Sequence, residues 1–215
     1  MCGRYDLSAD PEDLTASFGI RWGELSYQRR FNIAPTDQVL VTGLGGEIGD
    51  PEYMRWGLIP FWKKPDQKTP LNINARAESV ATNGAFKWSF QYRRCLIPAS
   101  GFFEWESRDK PVRIGMNDWT PLAFAGIWDR WNGPDGEIKS CAIITTSANE
   151  LVAPIHDRMP VILPQDSWED WLGSATDQHR LSLLKPFPSD LMGLYQVSTL
   201  VNKVQNDTAE VLRGI

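Results

Sequence analysis

The chain is predicted to be an α+β protein. It reads as one domain, residues 1–215, with a curved, mainly antiparallel, barrel-like β core and short flanking helices. Three observations carry this reading. Short apolar and β-branched runs recur between Gly, Pro and Asn-Gly punctuation, the pattern of many short strands joined by turns. Helical signals are few and brief. No internal repeat, low-complexity linker or composition break divides the 215 residues, a length that suits one core burying roughly 70% of the unfolded chain's surface.

The first helix is announced by Asp10 as N-cap, Pro11 at the first helical position and Gly19 at the end, with Leu14 and Phe18 on one face. Residues 21–36 read as loop. Strands are expected at 38–44 and 52–57, separated by the Gly45-Gly46 turn. Residues 58–72, with Pro60, Pro65 and Pro70 around Phe61 and Trp62, are the most irregular stretch. A short helix is expected over 80–88, and strands over 93–98, 101–106, 111–115, 121–128 and 138–146. Ser147-Ala148-Asn149-Glu150 has the form of a capping box, starting a short helix towards His156. An apolar strand is expected over 160–164, helices over 165–172 and 176–185, and a last strand over 192–198.

Composition excludes several classes. With 42% hydrophobic and 23% charged residues the chain is ordinarily globular, and its net charge of −5 excludes a strongly basic binder while leaving room for a local basic groove. The cysteines, Cys2, Cys95 and Cys141, are odd in number and have no paired metal spacing, so neither a disulfide framework nor a zinc site is expected. Residues 6–13 are acidic where a signal peptide would be apolar, and no apolar run approaches the ~20 residues of a membrane span. A cytoplasmic protein without membrane contact, metal or cofactor is expected, and nothing points beyond a monomer.

The chemistry-bearing residues begin at the terminus. Removal of Met1 would leave Cys2 with a free α-amine of pKa about 7.7–8.0 beside a thiol of about 8.5. Such a 1,2-aminothiol condenses with an aldehyde to an imine, and the sulfur then closes a thiazolidine; a frayed cysteine without a role is the bland alternative. Glu104 is a charge inside Gly101-Phe102-Phe103-Glu104-Trp105. On a strand it is either a solvent-facing glutamate or, lining a pocket, a carboxyl whose raised pKa suits acid–base work. His156, between Pro154 and Pro160 and beside Asp157 and Arg158, is either a structural imidazole or a proton-transfer group. Asn74 and Arg76 alternate and could face one way, one to orient an amine and the other to grip a phosphate. Arg4, Arg76, Lys87, Arg93, Arg94 and Arg158 could form a cationic track.

These segments together resemble the SRAP (SOS response-associated peptidase) domain family. The matching pieces are Met1-Cys2-Gly3-Arg4-Tyr5, Phe31-Asn32-Ile33-Ala34-Pro35, Arg55-Trp56-Gly57-Leu58-Ile59-Pro60 and Ile73-Asn74-Ala75-Arg76-Ala77-Glu78. They continue with Arg94-Cys95-Leu96-Ile97-Pro98-Ala99, Gly101-Phe102-Phe103-Glu104-Trp105 and Ile155-His156-Asp157-Arg158-Met159-Pro160. Each piece is weak alone; their joint order is specific. The resemblance implies a sensor of abasic sites in single-stranded DNA, also where single strand meets duplex, that crosslinks through Cys2. It implies that Asn74 positions the Cys2 amine and that Glu104 and His156 handle protons. Arg4 and Arg76 would hold flanking phosphates, Asn32, Pro35, Phe61 and Trp62 would shape the DNA groove, and Lys87 and Arg158 would add positive charge. Removal of Met1, autocatalytic or not, would account for the peptidase label. Two other readings remain: a thiol peptidase of the N-terminal-nucleophile kind using Cys2, Glu104 and His156, and a non-covalent reader of modified bases.

Overall fold

The longest strands, built around unbroken buried runs, form the spine of the molecule. In a computed structural model describing residues 2–68 and 70–215, 122–133 and 136–147 form an antiparallel hairpin paired from Gly133↔Gly136 to Gly126↔Ile143. Met1 and Thr69 lie outside the described residues, and with Met1 the expectation of its removal.

In chain order the strands and helices are β1 (Tyr5–Leu7), α1 (Pro11–Phe18), β2 (Arg30–Ile33), β3 (Gln38–Val41), β4 (Glu52–Trp56), β5 (Asn74–Arg76) and α2 (Lys87–Tyr92). These are followed by β6 (Arg94–Ala99), β7 (Gly101–Ser107), β8 (Lys110–Met116), β9 (Leu122–Gly133), β10 (Gly136–Ser147) and β11 (Arg158–Pro160). The chain closes with α3 (Trp168–Leu172), α4 (Asp177–Leu183) and β12 (Met192–Gln196). One sheet runs β12-β8-β7-β1-β2; the other runs β3-β4-β10-β9-β6 with β5 and β11 added along β10. Reciprocal backbone bonds between Thr42 and Leu96, at 3.0 and 2.9 Å, bring the ends of the second sheet together into a nearly closed barrel. The α+β class and the barrel-like, mainly antiparallel core are as the sequence predicts. The pairings of β10 with β4 and β5 are parallel.

Apolar residues of both sheets share one core. Tyr5 meets Trp56 and Phe124 edge-on, at 5.3 and 5.7 Å, and Phe18 of α1 stacks on Trp168 of α3 at 4.9 Å. Gly19 ends α1 in the left-handed region at φ 61°, its N–H bonded to the Thr15 carbonyl.

Three expectations are corrected. Residues 21–36 are not all loop, because 30–33 pair with β1 as β2. The helix expected over 80–88 forms over 87–92 instead. Asn83 explains the shift: its side chain accepts from the Ala85 N–H and its carbonyl from the Phe86 and Lys87 N–H groups, turning the chain before the helix starts. The Ser147 capping box starts no helix. Asn149 accepts from the Val152 and Ala153 N–H groups, closing a turn that delivers His156.

Candidate active site and nucleic-acid interface

Three strands that are distant in sequence bring the candidate residues together. Cys2 leads into β1, which lies between β2 and β7; Glu104 belongs to β7 and Asn74 to β5. The backbone ties them, since the Phe103 N–H donates to the Arg4 carbonyl at 2.9 Å. The Asn74 Nδ2 donates to the Cys2 carbonyl at 2.7 Å, while its Oδ1 is buried and accepts no hydrogen bond among the described residues. Cys2 is fully buried. Burial, with the Glu104 carboxylate adding to it, pushes its thiol well above the ordinary range, so the sulfur is a neutral thiol.

Glu104 is 4% exposed, which overturns the solvent-facing reading. Phe103, on the opposite face of β7, is covered by Val197, Val201 and Val211, so both faces of this strand are buried. Burial is the main cause that lifts the Glu104 carboxyl to about 7; the positive field of the chain's amino terminus opposes it, and Asp157 adds a smaller rise. His156 is partly exposed, and burial holds its imidazole below the ordinary value. The Arg158 N–H donates to its Nδ1 at 2.9 Å, which assigns the proton of the neutral ring to Nε2. The Asp157 carboxylate, also 2.9 Å from Nδ1, is placed to accept from that nitrogen once the ring is doubly protonated.

Around this centre the arginines differ. Arg4 is partly buried and donates to the Asn32 Oδ1 and the Val201 carbonyl, both at 2.8 Å. Asn32 is fully buried: its Nδ2 donates to the carbonyls of Val201, Lys203 and Asn206, so it clasps the C-terminal tail against Arg4. Asp207 completes the clasp by pairing with Arg30 and accepting from the Phe31 and Asn32 N–H groups. Asn74 and Arg76 lie on the face opposite the fully buried Ala75, and Arg76 is exposed. Arg158 grips the Glu78 carboxylate bidentately, at 2.6 and 3.0 Å, and donates to the Thr145 carbonyl at 2.6 Å. Arg94 is buried, and its guanidinium is spent on five carbonyls in 90–91 and 171–173, which removes it from any cationic track.

Pro35 stands in a tight turn next to β2. Thr36 takes φ 81° there, in the region that favours glycine, held by a 2.8 Å bond from its N–H to the Trp56 carbonyl; such strain costs of order 1–3 kcal/mol. Phe61 and Trp62 are 45% and 47% exposed, and Lys87 is exposed at the start of α2. Among the described residues no three His, Cys, Asp or Glu side chains converge to hold a metal ion, and no helix is long and apolar enough to cross a membrane.

Sequence reasoning passed over Glu78, the partner of Arg158, and Asp129, whose carboxylate holds the 59–63 loop by accepting from the Phe61 N–H at 2.8 Å. The Glu78 signal was its position in the Asn74–Arg76 segment. For Asp129, an acid in an apolar strand between Trp128 and Arg130 was the available sign.

Comparison with known proteins places the chain. The model of the SOS response associated peptidase (SRAP) family matches residues 1–204. The chain is 39% identical over its whole length to "Abasic site processing protein YoqW" of Bacillus subtilis, whose whole length is also covered. It is 33% identical to "Abasic site processing protein HMCES" of Gallus gallus over 74% of this chain and 56% of that one. A crystal structure of a Bacteroides thetaiotaomicron protein superposes with a TM-score of 0.88 at 28% identity, all of both chains being covered. The family model over nearly the whole chain and the 39% identity over its full length settle the membership: the chain belongs to the SOS response associated peptidase (SRAP) family.

Proposed function

We infer that this protein processes abasic sites in DNA, capturing the open-sugar aldehyde in single-stranded DNA as a covalent thiazolidine on Cys2. The observation that carries the reading is the Asn74 amide. One end is bonded to the Cys2 carbonyl, and the other is a buried acceptor with no partner among the described residues; the Glu104 carboxyl, whose charge acts on the Cys2 thiol, is raised to about 7. That acceptor suits an N–H of the amine that hydrolysis of the Met1–Cys2 bond would free. The names of the relatives from Bacillus subtilis and Gallus gallus, both abasic site processing proteins, support the same substrate.

The steps follow from the groups present. The neutral Cys2 amine attacks the sugar aldehyde carbon, giving a carbinolamine. Glu104, half protonated near pH 7, protonates the departing hydroxyl, and water leaves to form the imine. The thiol then adds to the imine carbon, its proton passing to the nitrogen, which closes the ring. Aldehyde and aminothiol thus become thiazolidine and one water. Holding the sulfur as a buried neutral thiol favours this order, with the amine attacking first. His156 relays protons at the rim of the site and assists reversal. Arg4 and Arg76 hold the flanking phosphates, and Arg158 does so on leaving Glu78. Lys87 adds positive charge, Phe61 and Trp62 stack bases, and the Pro35 turn bounds the groove. Asn32 acts through Arg4, whose guanidinium it orients. The protein would work as a monomer in the cytoplasm, on the nucleoid when bound, and any peptidase activity would be confined to Met1.

The test mixes the protein with a single-stranded oligonucleotide carrying one abasic site, followed by a denaturing gel and intact mass measurement. The expected product has the combined mass less Met1 and one water, and is absent with Cys2→Ala. No adduct from protein already lacking Met1 overturns the reading, and repeated turnover of peptides would favour the thiol peptidase instead.

A further inference from the structure

Helix α2 presents an aromatic outer face where a surface helix ordinarily shows polar residues. Phe90 faces the core, while Trp88 and Tyr92, four residues apart and so on one side, are 44% and 57% exposed. Phe61 continues their line: its ring centroid is 5.6 Å from Trp88, and Trp88 is 4.4 Å from Tyr92. Phe61, Trp62, Trp88 and Tyr92 are the only exposed aromatic side chains among the described residues, and all stand in this one region. Clustering of this kind marks a contact surface.

The geometry points to Phe61, Trp88 and Tyr92 as an extended stacking track for the bases of single-stranded DNA beyond the lesion. It rests on the abasic-site reading and lengthens the footprint from the 58–62 loop onto α2. Three features select this occupant. The loop that carries Phe61 is anchored next to the candidate site, because Leu58 bridges to Asn72, two residues from Asn74. The track's charge suits a phosphate backbone: the two segments that carry the rings, 61–68 and 87–92, hold Lys63, Lys64, Lys68 and Lys87 against one acid, Asp66, in a chain of net charge −5. It is also held in place. The buried Asp129 accepts from the Phe61 N–H and pairs with Arg93, the residue following α2, so one carboxylate fixes the loop and the helix end together. Trp131 adds a bond from its indole N–H to the Lys63 carbonyl at 2.7 Å. Aromatic faces with cations between them fit bases joined by phosphates, whatever the sequence.

The experiment lengthens the single strand on either side of one abasic site, once with ordinary nucleotides and once with base-less spacers of equal phosphate count. Crosslinking of the parent to the shortest strand tests the underlying reading by itself, so its failure is seen separately. Affinity is then measured on the Cys2→Ala background, with and without Trp88→Ala/Tyr92→Ala. Added bases should tighten binding by about five-fold or more, base-less spacers should not, and the double variant should lose the gain. Trp88→Phe/Tyr92→Phe should keep it. An equal gain with base-less spacers, or one that survives the double alanine variant with an unchanged unfolding midpoint, overturns the track. So does a dimer of the parent that the alanine variant dissociates, since the rings would then cover each other.

Discussion

Asp6 and Glu104 are both buried, on neighbouring strands β1 and β7 of one sheet, yet their surroundings give them opposite uses. Asp6 receives the Arg113 guanidinium at 2.8 and 2.9 Å and the Ser8 hydroxyl at 2.7 Å. Burial lifts its pKa and outweighs Arg113 and Ser8, which pull it part of the way back, and Arg113 is itself covered by Trp119. Burial also lifts Glu104; there the field of the amino terminus offsets only part of it and Asp157 adds a smaller rise, leaving the carboxyl at about 7. One carboxylate is neutralised and fixes the strand that follows Cys2. The other is left poised to exchange a proton. The lesson is that burial alone does not tell a structural acid from a chemical one; the charges arranged around it do.

The widest separation between the two comes from removing each charge. Asp6→Asn leaves Arg113 buried without its counter-charge and should cost about 3–5 kcal/mol, read from the urea midpoint. A loss below about 1 kcal/mol would mean that the pair does not hold β1. Glu104→Gln should move stability the other way. The native carboxyl keeps a proton between the ordinary 4.5 and about 7 that the unfolded chain has released. Stability therefore falls as pH rises through this window, by ~3 kcal/mol in all at ~1.4 per unit, and the full cost persists above it. The variant should be more stable than the parent at pH 8 and equal to it below pH 4.5, while crosslinking slows about 10²-fold and loses its inflection near pH 7. Parallel pH–stability curves for the two proteins would refute the assignment.

Two smaller effects sharpen the contrast. Asn74→Ala removes the bond to the Cys2 carbonyl and should slow single-turnover crosslinking about tenfold, the equivalent of ~1.4 kcal/mol. The inflection near pH 7 should remain, because Glu104 is untouched. Glu78→Gln releases Arg158 from an ion pair that is half exposed on the glutamate side. Abasic single strands should then bind up to about five-fold more tightly, with a steeper salt dependence. Unchanged affinity would show that Arg158 does not meet phosphate.

Several features were legible in the residues. Pro11 and Gly19 mark both ends of α1 because each suits one helix terminus and not the other. The apolar and β-branched runs within 122–147 read as strands because such residues suit a pleat buried on both faces. Tyr5–Leu7 gave no such signal, since three residues with a charge, Asp6, at their centre are too short a run to show a strand pattern. Asn32 looked like a groove residue, and its full burial depends on a tail some 170 residues away. Glu104 was ambiguous for the same reason: whether the second face of β7 met water rested on what packed against it.

By itself the sequence determined the fold class, the order of most elements and the identity of the chemical groups, because periodicity, punctuation and side-chain chemistry are local. Only the tertiary structure decided which buried carboxylate receives a guanidinium, which arginines are spent on carbonyls, and that Phe61 meets Trp88 across 27 positions of chain. Burial and electrostatic field depend on neighbours that the chain brings together only by folding.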